Sequence, residues 1–309
     1  MSNNLAFIFP GQGSQAVGML ADLADNPEVS ATFAQASAAL GYDLWDLIQN
    51  DSDGKLNQTN YTQPALLTAS VAIFRAWRAK GGTAPSVLAG HSLGEYSALV
   101  CADVISLEAG VKLVEKRGVY MQEAVPAGTG AMFAIIGLDD AAIIKACSDA
   151  AQGEVVSAVN FNSPGQVVIA GTKAAVERAG VLCKAAGAKR ALPLPVSVPS
   201  HCALMQPAAD KLAADLANIE FSTPAIPVIN NVDVIAESDA CAIKDALVRQ
   251  LYSPVRWTET VQAIATQAPI QLVEAGPGKV LSGLIKRIDK TLNCVSVNNT
   301  DTLNSALEL

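Results

Sequence analysis

A Gly-x-Ser-x-Gly pentad at residues 90–94 follows an apolar run, PSVLAG, and precedes a helical pattern that begins near Glu95. A buried strand that turns into a helix through two glycines is the setting of a nucleophile elbow, which presents a serine hydroxyl at the end of a parallel strand. The glycines permit a strained turn and close packing of the strand on the helix. The segment therefore predicts an α/β fold and makes Ser92 the candidate nucleophile. The alternative is a serine in a tight turn without chemistry.

Apolar runs and helical periodicity alternate on both sides of the pentad, as is typical of α/β domains. We expect helices over 29–40, 65–82, 107–124, 202–219 and 246–257, strands over 5–9, 85–90, 227–232 and 270–276, and a helix that starts within 277–288. Residues 130–195 follow the order β-α-β-β-α-β, the split βαβ arrangement of a ferredoxin-like module. The sequence thus predicts a larger α/β domain, 1–126 and 199–309, with a smaller subdomain, 127–198, inserted into it.

Charge and cysteine usage exclude several classes of protein. The net charge of −8 over 309 residues argues against non-specific nucleic-acid binding. No apolar run approaches the roughly 18 residues that span a bilayer, and the N-terminus lacks the basic start of a signal peptide. The six cysteines are scattered without a C-x-x-C pair, and the chain has only two histidines. We therefore expect reduced thiols, no metal site, no membrane partner and a cytoplasmic location.

A serine nucleophile needs a base, and only two histidines are available. His91 adjoins Ser92, and neighbours on a sharp turn point in different directions, so it is a poor partner. His201 follows a proline-rich loop, VSVPSHCALM, at the point where the larger domain resumes. Catalytic groups often lie on such loops, which a rigid scaffold holds in place. We favour His201 as the base, and the alternative is a structural histidine that caps the following helix.

Arg117 is a charged residue on the apolar face of the helix expected at 107–124. It lies three and four residues after Val114 and Leu113, and four residues before Met121. A guanidinium directed inward needs an anion, because its burial without a partner is costly. That anion is either an internal carboxylate, ordinarily the commoner case, or a substrate carboxylate held by the planar fork of the arginine.

The glycine-rich segment FPGQGSQ, residues 9–15, follows the first apolar run. Its glycine spacing does not match the G-x-G-x-x-G dinucleotide fingerprint, and the chain contains no G-x-x-x-x-G-K-[ST] phosphate loop. Such a turn could instead supply a backbone N–H to an oxyanion hole.

The chain carries a series of motifs in a specific order: FPGQGSQ, QPALLTAS, GHSLGEYSAL, VEKRGVYMQEAV, NFNSPGQVVIAG, VSVPSHCALM and EAGPGKVL. In this combination the sequence resembles the malonyl-CoA:acyl carrier protein transacylases of bacterial type II fatty acid synthesis, over essentially its whole length. The resemblance implies an α/β-hydrolase-like core with a parallel sheet and an inserted ferredoxin-like subdomain.

The resemblance also implies roles for individual residues. Ser92 is the nucleophile, His201 its base, and Arg117 the group that binds the malonyl carboxylate. The backbone N–H groups of Gln12 and Leu93 are the implied oxyanion donors. The backbone carbonyl of Gln250 is placed against the histidine instead of a triad acid. The implied pocket residues are Met121, Asn160 and Asn162.

The implied reaction is ping-pong, with malonyl-CoA as donor, coenzyme A as first product, acyl carrier protein as acceptor and no cofactor. The carrier is acidic in this family, so docking on an acidic chain needs a local basic patch. Lys189 with Arg190, and Lys286 with Arg287, are candidates, unless they are only solvated surface charges. Nothing in the sequence demands an oligomer, and we expect a monomer.

Two other functions remain open from the residues alone. A serine hydrolase would use the same pentad, but would be expected to have an Asp or Glu behind the histidine. A non-catalytic module that binds the carrier protein would keep the fold without needing the serine hydroxyl.

Overall fold

The strands form two separate sheets in the computed structural model, which describes residues 4–196, 198–267 and 270–308. In chain order the described strands are β1 (Asn4–Phe9), β2 (Val87–Gly90), β3 (Gly130–Ile136), β4 (Val156–Ser163), β5 (Gln166–Thr172), β6 (Arg190–Pro193), β7 (Val228–Ile229), β8 (Ile270–Ala275) and β9 (Asn293–Val297).

The described α-helices are α1 (Pro27–Leu40), α2 (Leu44–Asn50), α3 (Thr59–Ala79), α4 (Leu93–Cys101), α5 (Leu107–Glu123), α6 (Asp140–Ala151), α7 (Lys173–Ala185), α8 (Gln206–Leu216), α9 (Ala240–Gln250), α10 (Trp257–Ala265), α11 (Val280–Ile288) and α12 (Thr300–Ala306). Short 3-10 turns lie at Ala21–Leu23 and Ala203–Met205. Of the helices in the described ranges, none combines the length and the hydropathy that a membrane span requires.

The larger sheet is parallel, with the strand order β7-β2-β1-β8-β9. Phe9 pairs with Gly90, so β1 and β2 end side by side. The glycine-rich loop after β1 and the pentad after β2 therefore leave the sheet at the same edge, which is where parallel α/β sheets place their ligand sites.

Strand β1 is buried on both faces, which explains its continuous apolar sequence. Phe7 packs edge-to-face against Phe74 and Trp77 of α3, with ring centroids 5.3 Å apart in each pair. Ala6 and Ile8 point to the opposite face and belong to a second buried cluster of apolar side chains. The nucleophile turn thus rests on a strand that is clamped between two layers of helices.

The smaller sheet is antiparallel, with the order β4-β5-β3-β6. This is the strand order of a ferredoxin-like module, and α6 and α7 pack against the sheet, so the predicted fold class is confirmed. The exact division into 1–126, 127–198 and 199–309 stays a prediction. Val255, in the loop before α10, joins the smaller sheet: its N–H donates to Val159 at 2.8 Å, and its carbonyl accepts from Phe161 at 3.0 Å.

Several predicted helix boundaries are wrong. The helix expected over 246–257 ends at Gln250, and a new helix, α10, begins at Trp257; Pro254 lies between them and could not extend α9. The helix expected over 202–219 is a 3-10 turn followed by α8, which has Pro207 in its first turn. Helix α4 begins at Leu93 rather than near Glu95. Four of the described elements were not predicted from the sequence: α2, α10, β9 and α12.

Candidate active site

The pentad forms a strained turn between β2 and α4. Ser92 has φ 52° and ψ −108°, a conformation that a residue with a side chain adopts only at an energetic cost. The flanking glycines are required sterically. A Cβ on Gly90 would lie 1.8 Å from the carbonyl carbon of Gly94, and a Cβ on Gly94 would lie 2.0 Å from the carbonyl oxygen of Phe9. Only the glycine pattern lets β1, β2 and α4 approach so closely.

The structure brings Ser92 and His201 together, although they are 109 residues apart. Ser92 Oγ lies 2.8 Å from His201 Nε2, and His201 Nδ1 lies 2.7 Å from the backbone oxygen of Gln250. A carbonyl oxygen only accepts hydrogen bonds, so Nδ1 carries the proton and Nε2 is left as an acceptor for the serine hydroxyl. The geometry is that of a nucleophile and its base, with a backbone carbonyl as the third member.

His201 is buried, and this burial is the main cause of a large change in its basicity. Desolvation and the nearby charge of Arg117 lower the pKa of His201 from 6.5 to about 3, while the hydrogen bond to Gln250 opposes the shift. The imidazole is therefore neutral at neutral pH, as a proton acceptor must be.

Arg117 points into the protein, as its position on the apolar face predicts, and is 1% exposed. Its Nη1 donates to Gln63 Oε1 at 2.8 Å, and its Nη2 donates to Gln250 Oε1 at 3.0 Å and to Ser92 Oγ at 3.4 Å. The guanidinium carbon also lies 5.3 Å from the centroid of the Tyr96 ring.

No carboxylate in the described ranges forms a salt bridge with Arg117. Its Nε also lacks a partner among those residues. Burial lowers the pKa of Arg117, since nearby groups offset the desolvation only in part. A buried cation held by neutral amides, next to a candidate nucleophile, is suited to an anionic group on the substrate.

The loop after β1 lies directly against the pentad. His91 N–H donates to Phe9 at 3.0 Å, and a Cβ on Gly11 would lie 2.5 Å from the carbonyl oxygen of His91. The backbone N–H groups of Gln12 and Leu93 have no hydrogen-bond partner among the described residues. Both are therefore available to an oxygen atom that enters the site.

Of the three remaining predicted pocket residues, Met121 and Asn162 contact groups beside this centre, and the β-bridge partner of Asn160 is Val255. The sulfur of Met121 accepts from Gln63 Nε2 at 3.6 Å, beside the guanidinium of Arg117. Asn162 Oδ1 lies 2.8 Å from Nε2 of His91, the other histidine of the chain, so this ring nitrogen is already hydrogen-bonded. Asn160 forms an isolated bridge with Val255, and its buried Oδ1 has no partner in the described part of the chain.

Three buried polar residues were missed by the sequence analysis: Gln63, Glu95 and Asn231. Glu95 Oε2 accepts from Gln250 Nε2 at 2.8 Å and from the backbone N–H of Asn231 at 2.9 Å. Burial raises the pKa of Glu95 to about 7, against the lowering effect of these hydrogen bonds. Gln63 and Glu95 are polar residues within otherwise apolar helix patterns, and this feature of the sequence could have indicated that they are buried near the site.

The chain is similar to known proteins over almost its whole length. The acyl transferase domain family matches residues 6–301. The malonyl CoA-acyl carrier protein transacylase of Salmonella typhimurium is 67% identical over 303 residues, which cover 98% of each protein. The crystal structure of an acyl carrier protein S-malonyltransferase from Vibrio cholerae is 69% identical, with a TM-score of 0.96 over 98% of this chain and 99% of the other. A structure of a type II PKS acyl-carrier protein in complex with its malonyl-transacylase gives a TM-score of 0.98 at 65% identity, over 99% of both chains.

Proposed function

We propose a residue-level mechanism from one premise: the chain belongs to the acyl transferase domain family, among the malonyl CoA-acyl carrier protein transacylases. Its activity is the transfer of a malonyl group from coenzyme A to acyl carrier protein in fatty acid biosynthesis. Ser92 and His201 are the residues that we propose catalyse this reaction, and the supporting observation is the distance of 2.8 Å between Ser92 Oγ and His201 Nε2.

In the first half-reaction, His201 Nε2 takes the proton of the Ser92 hydroxyl, and Oγ attacks the thioester carbon of malonyl-CoA. The tetrahedral intermediate collapses with breakage of the C–S bond, and the sulfur of coenzyme A leaves with the proton from His201. The second half-reaction reverses these steps. The phosphopantetheine thiol of the carrier gives its proton to His201 and attacks the malonyl ester, and Ser92 recovers its proton.

Charge recognition selects the malonyl group. Arg117 binds the free carboxylate, because a buried guanidinium that forms no salt bridge with any described residue gains most from a group that brings a full negative charge. The unpartnered backbone N–H groups of Gln12 and Leu93 bind the oxyanion. Met121, Asn160 and Asn162 line the acyl pocket. The contacts of Met121 beside Arg117 and of Asn162 with His91 support this placement, as does the buried, unpartnered Oδ1 of Asn160.

The acceptor docks through a basic patch on this chain. Lys189, Arg190, Lys286 and Arg287 are all exposed. Arg287 Nη1 reaches Gln166 Oε1 of β5 at 2.6 Å, so α11 and the smaller sheet meet beside this patch. We propose that the patch receives an acidic carrier, and that the protein acts as a monomer in the cytoplasm.

Mass spectrometry of the intact protein tests the serine mechanism. Mixing with malonyl-CoA in the absence of a carrier should add one malonyl group to the parent chain and none to the Ser92→Ala variant, with release of one equivalent of coenzyme A. Release of coenzyme A in large excess over enzyme, without any thiol acceptor, would instead indicate a hydrolase.

A carrier-binding measurement addresses the non-catalytic alternative. The Ser92→Ala variant should still bind the carrier protein but transfer no malonyl group. Retained transfer in this variant would exclude Ser92 as the nucleophile.

A further inference from the structure

Asn231 connects the two ends of the nucleophile turn through its side-chain amide. Its Nδ2 donates to the backbone oxygen of Gly90 at 2.7 Å, and its Oδ1 accepts from the backbone N–H of Ser92 at 2.7 Å. The orientation of the amide is fixed, because only the NH2 end can face a carbonyl and only the oxygen can face an N–H. Asn231 is completely buried, so both hydrogen bonds form away from water.

Two backbone hydrogen bonds hold Asn231 in place, and an ion pair anchors its loop. Its backbone N–H donates to Glu95 Oε2 at 2.9 Å, and its backbone oxygen accepts from the N–H of Arg256 at 3.1 Å. Two residues further on, Asp233 forms two hydrogen bonds with the guanidinium of Arg249, at 2.9 and 2.7 Å. The loop after β7 is thus held by hydrogen bonds of the Asn231 backbone and by the ion pair of Asp233 near the surface.

Glu95 joins this loop to the rest of the site. The oxygen that accepts from Asn231 also accepts from Gln250 Nε2 at 2.8 Å. The same Nε2 donates to the backbone oxygen of Ser92 at 3.1 Å, while the backbone oxygen of Gln250 faces His201. One buried carboxylate oxygen therefore links the group that holds the nucleophile turn to the group that orients the base.

We propose that Asn231 is a positioning residue, whose amide holds the strained backbone of Ser92 in the reactive conformation and whose own place is fixed by Glu95. The inference rests on the proposed role of Ser92 as nucleophile. A turn with a positive φ at a non-glycine residue persists only where its surroundings hold it, and the two hydrogen bonds of Asn231 span that residue.

The contact has a second consequence for catalysis. Because the Ser92 N–H is bound to Asn231, it cannot turn toward the oxyanion, which leaves that role to the free N–H groups of Leu93 and Gln12. Loss of the Asn231 amide would release a competing donor and would let Oγ move away from His201. Misplacement of a reacting group by about 1 Å lowers a rate by about a hundredfold.

Steady-state kinetics of Asn231→Ala and of the bulkier Asn231→Leu test the inference. We expect kcat for malonyl transfer to fall by about a hundredfold in both, with the KM for malonyl-CoA within about threefold of the parent value, since the substrate contacts are untouched. The matched control is Asn230→Ala. Asn230 is also buried in this loop, but its Oδ1 accepts from the backbone N–H of Asp233 at 2.7 Å and forms no hydrogen bond with the described residues of the nucleophile turn. Its kcat should stay within about threefold of the parent.

A pair of Glu95 variants separates geometry from charge. Glu95→Ala should lose kcat as Asn231→Ala does, whereas Glu95→Gln keeps an oxygen that can accept from both Asn231 and Gln250 and should recover at least about tenfold of that loss. This rescue is a result that a general loss of stability would not produce.

The outcomes separate this inference from the proposed function. A folded Asn231 variant with the kcat of the Asn230→Ala control, or a rise in KM at unchanged kcat, overturns the positioning role. If both Asn231 variants fail to fold, equal losses in Glu95→Gln and Glu95→Ala overturn it. Absence of the malonyl adduct from the parent enzyme would reject the role of Ser92 instead.

Discussion

Replacement of Arg117 by alanine should change which acyl group the enzyme transfers. The guanidinium is buried and is held by two neutral amides, so the malonyl carboxylate is its proposed ionic partner. Removal of one member of a buried, hydrogen-bonded charge pair costs about 2–5 kcal/mol. At about 1.4 kcal/mol per factor of ten, kcat/KM for malonyl-CoA should fall by about thirtyfold to several thousandfold.

The assay compares kcat/KM for malonyl-CoA and acetyl-CoA in the parent and in Arg117→Ala. Acetyl-CoA carries no carboxylate, so its value should change by less than about fivefold. Arg75→Ala is the matched control: Arg75 is only partly buried, but its guanidinium, like that of Arg117, is held by neutral groups, Thr32 at 3.2 Å and Gln35 at 2.8 Å. It should leave both values within about twofold of the parent.

Equal losses for the two donors in Arg117→Ala would refute this reasoning. They would mean that Arg117 supports the fold around Ser92 and Gln250 rather than recognising the substrate. A loss confined to malonyl-CoA, together with a decrease for both donors in Ser92→Ala, would separate recognition from chemistry.

Two further predictions concern the base and the turn. The ring of His201 should remain neutral well below pH 6.5, because its pKa is lowered to about 3 and protonation follows only as the pH falls toward that value. NMR of the ring protons measures this directly, with His201→Ala to assign one of the chain's two histidines, and a midpoint near 6.5 would contradict it. As the pH falls, His201 binds a proton in the unfolded chain near pH 6.5, but in the folded chain only near pH 3. The free energy of unfolding should therefore decrease as the pH falls from about 6.5 toward 3. Gly94→Ala should lower the free energy of unfolding by at least about 3 kcal/mol, since its Cβ would lie 2.0 Å from a backbone oxygen. Gly283→Ala is the control: this helical glycine has nothing within 4 Å of a Cβ, and the change should stabilise by about 0.5–1 kcal/mol in urea denaturation. Equal stabilities of the two variants would show that the packing argument is wrong.

Local patterns made the centre of the site predictable from the sequence. The strand, the pentad and the following helix are adjacent in the chain, and the glycines that permit the turn stand beside Ser92. Helical periodicity placed Arg117 on the buried face. His201 was favoured as the base because the chain offers only one other histidine, which adjoins the serine.

The supporting residues were not predictable because their contacts are long-range. Asn231 lies 139 residues after Ser92, from whose backbone N–H it accepts a hydrogen bond. Its segment, 227–232, was predicted to be a strand, but β7 ends at Ile229. Glu95 and Gln63 lie on helices whose patterns were interpreted only for their apolar residues. A hydrogen bond between distant segments leaves no periodicity in the sequence, so the structure was needed to find it.

The backbone carbonyl behind His201 has a consequence for the charge that the base can carry. A carbonyl fixes the tautomer of the imidazole but brings no full negative charge, whereas a carboxylate in its place would stabilise the protonated ring. Burial and the charge of Arg117 lower the pKa of His201 to about 3, and the hydrogen bond to the carbonyl opposes them only in part. If the malonyl carboxylate binds Arg117 as proposed, its negative charge offsets the guanidinium that disfavours a protonated ring. We therefore expect the bound substrate to raise the pKa of the base with which it reacts.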